Sequence, residues 1–213
     1  MPNTYFHTLF GEAARTLQAQ AGSRASYARR DAASPDERDA LTEREHGFLA
    51  ARDSVYLASV GPDGWPYLQH RGGPAGFVRA LGGNRIGFAD YPGNRQFISQ
   101  GNVIERGRVA LFAMDYPARR RLKLIGHARV VAAADDPDLV AQVVHPDAPP
   151  AASAFVVDVV GFDWNCPQYI EPRFTRAEIA AELRPLLTEV ADLRAEVARL
   201  RDLPVIPGSR EGL

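Results

Sequence analysis

Apolar residues recur at every second position through much of the middle of the chain, and at every third or fourth position towards its two ends. A period of two marks half-buried strands and a period near 3.6 marks helices. Residues 54–60, 65–71, 85–90, 109–114, 121–131 and 154–160 read as strands on this basis. Gly61-Pro62-Asp63-Gly64 and Gly82-Gly83-Asn84 have the composition of turns. Gly72-Gly73-Pro74-Ala75-Gly76 interrupts the second strand, which resumes over 77–81. Such an interruption predicts a bulge, or a place where backbone closely approaches something else. Short strands joined mostly by hairpins, without alternating helices, predict a mainly β fold: a six-stranded antiparallel barrel with added helices, not a doubly wound sheet.

Helical signals flank this region. Residues 9–21 are rich in Ala, Gln and Leu and predict a short helix, followed by a basic, small-residue arm over 22–35. Ser34-Pro35-Asp36-Glu37 has the order of a helix start, with Leu41, Glu45, Phe48 and Leu49 along one side of a helix reaching about residue 52. Asp136-Pro137 predicts a second capped helix to about 144. Near the C-terminus, Thr175 and Glu178 have capping-box spacing. Ile179, Leu183, Leu186, Val190, Leu193, Val197 and Leu200 then alternate in steps of four and three. That seam predicts a coiled-coil-like helix pairing with its symmetry mate, kinked or restarted at Pro185. The expected domains are an N-terminal helical arm (1–47), a barrel (48–174) and a helical tail (175–213).

Composition narrows the function classes. The formal net charge of −1 gives no overall attraction to nucleic acid or to an acidic membrane. Cys166 is the single cysteine, so neither an intrachain disulfide nor a Cys-rich zinc site is available, and no metal is expected. The first residues lack a secretory signal pattern, and no apolar run approaches the roughly 20 residues of a membrane helix. A soluble, cytoplasmic protein is the expectation.

Four segments carry candidate chemistry. Asn94, Arg95 and Gln96 follow a Gly turn at the end of the strand containing Phe88, Ala89 and Asp90. Arg95 there is either a forked phosphate ligand or a solvated arginine. His70 and Arg71 precede the pair Gly72-Gly73 and combine positive charge with accessible backbone. In the strand over 121–131, Arg121, Lys123, His127 and Arg129 share one face, which seeks either an anion or solvent. Trp164 and Asn165 offer a flat apolar face and an amide suited to a heteroaromatic ring, and Cys166 beside them reads as structural.

Taken together these segments resemble the FMN-binding split-barrel family of pyridoxamine 5'-phosphate oxidase and its relatives, over about residues 48–174. The likeness is carried by Gly64-Trp65-Pro66-Tyr67, by Phe88-Ala89-Asp90-Tyr91 through Asn94-Arg95-Gln96, by Arg121-Leu122-Lys123-Leu124-Ile125-Gly126, and by Asp163-Trp164-Asn165-Cys166-Pro167-Gln168-Tyr169-Ile170. The resemblance implies FMN as cofactor, a homodimer with flavin sites at its interface, and oxidoreductase chemistry on a small molecule. It implies that Arg71 opens the flavin-binding strand, that Phe88 and Ala89 lie beside the flavin, and that Arg95 holds the phosphate. Gln96 stands where the oxidase has Lys, Ala89 lacks the family's hydroxyl, and Arg121 replaces a Gln near the ring. The resemblance also implies that Trp164 supplies the wall contributed by a second subunit. The oxidase's C-terminal substrate-gripping segment is replaced by residues 164–174 and the heptad tail, so the likeness is to an oxidase-related subgroup. No catalytic acid or base is evident. Non-catalytic flavin or haem binding and deazaflavin-dependent reduction on the same barrel are the rival functions.

Overall fold

Alternation builds the central sheet. The computed structural model describes residues 3–32, 37–91, 93–164 and 166–201. Seven strands are present among them: β1 (Ser54–Val60), β2 (Pro66–Gly72), β3 (Arg79–Ala80), β4 (Arg85–Asp90), β5 (Arg108–Asp115), β6 (Arg120–Ala132) and β7 (Ser153–Trp164). All pair antiparallel, in the order β2-β1-β5-β6-β7-β4-β3. The inward residues follow the period-two pattern: Val55 and Leu57, Val109, Leu111 and Ala113, Leu122 and Leu124, Phe155, Val157 and Val159. Phe88 stacks on Phe155 at 5.3 Å within this core.

The mainly β, antiparallel split-barrel class predicted from the sequence is the one observed, with seven strands instead of six. The difference lies at the glycine-rich interruption. Residues 77–81 do not continue β2; Arg79 and Ala80 pair with β4 at the opposite edge of the sheet. A six-residue link therefore joins the two edges and brings them near each other. Gly73 donates to the Asp53 carbonyl (2.9 Å), and a Cβ on Gly73 would stand 2.8 Å from that of Phe77. The close approach foreseen at Gly72-Gly73 is thus to this chain's own Asp53 and Phe77.

Helices cover the sheet. The helix predicted over 9–21 is α2 (Glu12–Gln20); α1 (Thr4–Leu9) precedes it unforeseen, and the basic arm contains α3 (Arg24–Ala28). Ser34, Pro35 and Asp36 lie outside the described residues; the next helix, α4 (Glu43–Ala50), starts later than predicted because Thr42 and Glu45 form the capping box. Asp39 holds α1 against β7, accepting from the amides of Thr4 (2.8 Å), Tyr5 (3.2 Å) and Phe162 (3.1 Å). α5 (Ile98–Arg106) packs on β1 and β6, and α6 (Pro137–Val143), capped by Asp136, covers the outer face of β4. The chain divides into two compact units, 1–171 and 172–213. The second contains α7 (Arg176–Arg201), which runs through Pro185 without the predicted restart. Among the described residues no helix is long and apolar enough to cross a membrane.

Candidate functional site

Where the two sheet edges meet, a cavity of about 220 Å³ opens between β2, the end of β4 and the start of α5. β2 is half-buried by alternation, so Tyr67, Gln69 and Arg71 face the cavity while Leu68 and His70 point away. Arg71 crosses the split: its guanidinium lies 2.5 Å from Asp90 Oδ1 and 4.8 Å from the centre of the Phe155 ring. Gln100, near the start of α5, donates to the second oxygen of Asp90. Asp90 is therefore gripped from two sides. The Nε of Arg71 is buried and has no partner among the described residues, a donor open to a ligand.

The loop between β4 and α5 forms the lip. Asn94, Arg95, Gln96 and Phe97 are exposed there, and Arg95 and Phe97 adopt the left-handed region with φ of 58° and 55°. Non-glycine residues enter that region at a cost of roughly 1–2 kcal/mol each. Two such residues within three positions mark a backbone held in shape by its surroundings. No described carboxylate pairs with Arg95; its charge faces the cavity mouth. Ser99 Oγ donates to Gln69 Oε1 at 2.6 Å, tying α5 to β2 behind the lip. The wall combines polar residues, among them Gln69, Ser99, Gln100 and Ser153, with aromatic or aliphatic ones, Tyr67, Tyr91, Phe97 and Ile98.

Of the residues singled out from sequence, Arg71, Asp90, Asn94, Arg95 and Gln96 line this cavity. The others lie elsewhere. Phe88 is fully buried in the barrel core, and Ala89 faces outward beneath α6 with Val140 and Val143, because neighbours on a strand point to opposite faces. Their side chains do not reach the cavity. His70 packs edge-to-face on Tyr56 at 5.7 Å on the outer face of β2, with Gly72 on the same side. Arg121 lies on the outer face of β6 opposite Met114, its Nε buried and unpartnered. Lys123 is bound to Asp163 at 3.1 Å and lies over the Tyr5 ring, so the anion foreseen for it is a carboxylate of its own chain. Trp164 is packed against Phe48 (4.7 Å), donates to Glu45 Oε1 (2.7 Å) and carries the Arg44 guanidinium on its face. That indole, half-buried, is held by α4. Asn165 lies outside the described residues. Cys166 is free and exposed. No described His, Cys, Asp and Glu cluster suited to a metal is present.

Sequence reasoning missed Gln69, Ser99 and Gln100. Gln69 was legible, since it shares the period-two face of Tyr67 and Arg71. Ser99 and Gln100 sit on a helix whose buried face is Ser99, Asn102 and Val103. Two polar residues on that face hide the apolar periodicity by which helices are found; Asn102 is buried because it donates to Ser59 at 2.9 Å.

A family model described as pyridoxamine 5'-phosphate oxidase matches residues 41–162. Among solved structures, a candidate pyridoxamine 5'-phosphate oxidase from Lactobacillus delbrueckii is 23% identical, covering 58% of this chain and 93% of that one at a TM-score of 0.45. Tagged HupZ from Group A Streptococcus is 12% identical, covering 63% and 99% at 0.46. A pyridoxamine 5'-phosphate oxidase-related, FMN binding protein from Nostoc punctiforme is 14% identical, covering 53% and 73% at 0.40. A search of the curated proteins found no match.

Proposed function

The chain belongs to the pyridoxamine 5'-phosphate oxidase family, and from that premise we propose that the cavity between β2 and β4 holds FMN for oxidoreductase chemistry on a small molecule. One observation carries the reading: Arg95 presents an uncompensated guanidinium at the mouth of a cavity in which Arg71 keeps an unpartnered donor. A phosphate ester suits both, as a charged acceptor for Arg95 and a chain of oxygens for the donors behind it. The residues present therefore fit a flavin nucleotide.

In this proposal Arg95 pins the phosphate at the lip, with Asn94 and Gln96 beside it. Arg71 Nε, Gln69 and Ser99 bind the polyol deeper in, and Tyr67, Tyr91 and Phe97 exclude water. The Asp90–Arg71 ion pair fixes the guanidinium so that its free Nε keeps its direction. Bound flavin supplies hydride or single-electron transfer. A second copy closes the site: the outer face of β2-β1-β5-β6 carries Leu68, Ala58, Ala110 and Ile125 in one row and Tyr56 and Phe112 in the next. Leu68 is 64% exposed, and a homodimer burying this face would bring His70 and Arg121 to an interface.

Titration of purified protein into FMN, followed by flavin fluorescence, should saturate near one FMN per chain; no response at micromolar concentrations rejects the assignment. A visible spectrum separates flavin from haem, and a colourless protein that binds deazaflavin but not FMN would replace the cofactor. A second reading, a flavin carrier without turnover, is favoured by the state of Asp90. It is the only carboxylate on the described lining, it is held by Arg71 and Gln100, and no described His, Lys or Cys lines the cavity. Flavin bands without NADH or NADPH oxidation would select it.

A further inference from the structure

We propose that α7 forms a parallel, in-register, two-stranded coiled coil with a second copy of this chain. Its apolar seam is exposed along its whole length, from Ile179 (44%) through Leu186 (57%) and Leu193 (58%) to Leu200 (51%). At 26 residues it is about 39 Å long, and a helix in a protein draws most of its stability from packing its apolar face, which here has nothing described against it. The alternation of steps fixes the heptad: Leu183, Val190 and Val197 take position a, and Ile179, Leu186, Leu193 and Leu200 take position d. β-Branched residues at two of three a positions, with Leu at three of four d positions, favour two strands.

The flanking charges choose the orientation. Position g holds Glu182, Glu189 and Glu196, and position e holds Arg194 and Arg201. In a parallel pair, g of one strand meets e of the next heptad on the other, so Glu189 meets Arg194 and Glu196 meets Arg201 across the seam, twice over by symmetry. In an antiparallel pair g meets g and e meets e, which sets Glu against Glu and Arg against Arg. The same pattern disfavours unrelated acidic or basic helices, since each side of the seam carries one sign. Glu196 also binds Arg199 of its own helix, at position c, through both carboxylate oxygens (2.5 and 2.8 Å), an exposed i,i+3 pair that Arg201 of the second copy would share or displace. Pro185 falls at position c, pointing away from the seam, so the amide it lacks faces solvent. Leu187 at position e (64% exposed) extends the apolar strip beside Leu183.

The test uses the full chain with Cys166→Ser, so that a single introduced cysteine reports. With Leu200→Cys, mild oxidation should convert most of the protein to a disulfide-linked dimer, because identical seam positions fall within disulfide reach. With Ala195→Cys, at outward position f, the yield should be lower by about tenfold or more. A mixture of Ile179→Cys and Leu200→Cys chains should give only like-with-like products. Dominant 179–200 products, no cross-link at position 200, or a trimer in sedimentation of the native protein would each overturn the proposal. Chains carrying Glu189→Lys with Glu196→Lys, mixed with chains carrying Arg194→Glu with Arg201→Glu in the Leu200→Cys background, should favour the mixed product on the order of tenfold. Equal amounts of all products would remove the charge argument. FMN titration of the same cross-linked protein is independent: loss of FMN binding with cross-linking intact counts against the cavity and not against the helix.

Discussion

Two regions of the barrel use the same residue types to opposite ends. Where α1 and α4 meet β6 and β7, four described cations meet carboxylates: Lys123 and Arg30 meet Asp163, and Arg52 and Arg120 meet Asp115. Arg121 on β6 is the exception, its Nε buried without a described partner. Asp39 there satisfies three main-chain amides. At the β2–β4 split, Arg71 spends its NH1 on Asp90 and keeps Nε unpartnered, and Arg95 has no described carboxylate. Closed networks hold chain segments together; a network left open at an arginine is able to receive an anion. The difference is one of completion, since both regions contain arginine, aspartate and aromatic rings.

The largest effect tests the closed side. Asp39→Ala should strip the acceptor from Thr4, Tyr5 and Phe162 and destabilise the fold by roughly 2–4 kcal/mol. That corresponds to a fall in melting temperature of roughly 5–15 °C in a chain of this size. FMN affinity of the folded fraction should stay within about twofold of wild type, because charge-assisted bonds act where they are made. Next in size, Arg95→Ala should weaken FMN binding by roughly 10- to 150-fold, the equivalent of about 1.5–3 kcal/mol, while leaving the melting temperature nearly unchanged. Binding lost at Asp39 and kept at Arg95 would invert the comparison and end it.

Each side was legible in sequence only in part. Alternating residues such as Val55, Leu57 and Leu111 announced the strands, since half-burial writes itself into a strand at every second position. The lip was legible as well, because Arg95 follows a turn at a strand end. What escaped were relations between segments. Arg71 faces the cavity and His70 does not, a matter of register against β1. Residues 77–81 belong to the other sheet edge, which no local pattern states. Lys123 and Trp164 looked free because their partners, Asp163 with Tyr5 and Glu45 with Arg44, are fixed by helices arriving from elsewhere in the chain. The start of α4 shifted because its capping box, Thr42 with Glu45, competes with an equally plausible serine-proline start.

Acid should separate the regions by pH. The Glu45 carboxyl is pushed up by burial, but hydrogen bonds from the Thr42 hydroxyl, the Trp164 indole and the Thr42 amide outweigh this and leave it below its ordinary 4.5. Asp115 is likewise pushed up by burial, and the Ala118 amide with Arg120 and Arg52 brings it below 3.8. Folded values below unfolded ones mean stability that is whole above about pH 4.5 and is lost as pH falls through the lowered values. The melting temperature should therefore hold from pH 7 to 5 and drop below about 4.5, and Glu45→Gln should make that drop shallower. FMN binding should weaken earlier, a few-fold between pH 7 and 5, as the phosphate takes up its second proton near pH 6. Coincident losses would mean that unfolding, not phosphate charge, governs binding.

The smallest expected effect decides on which side Lys123 belongs. Its ammonium is 3.1 Å from Asp163, which also has Arg30 at 3.4 Å, and it rests on the Tyr5 ring. Lys123→Met keeps the apolar stem over Tyr5 and leaves Asp163 one cation, so the cost should be about 1 kcal/mol or less. FMN affinity should not change, because the side chain is held by α1 and β7 and the lining of the cavity does not include it. The outer face of β6 is nevertheless the face on which Arg121 lies, and a second copy docked there could bring its own cavity to Lys123. A loss of FMN affinity greater than about threefold in Lys123→Met, at an unchanged melting temperature, would place this lysine in the partner's site, and the closed side of the comparison would then begin at Asp163.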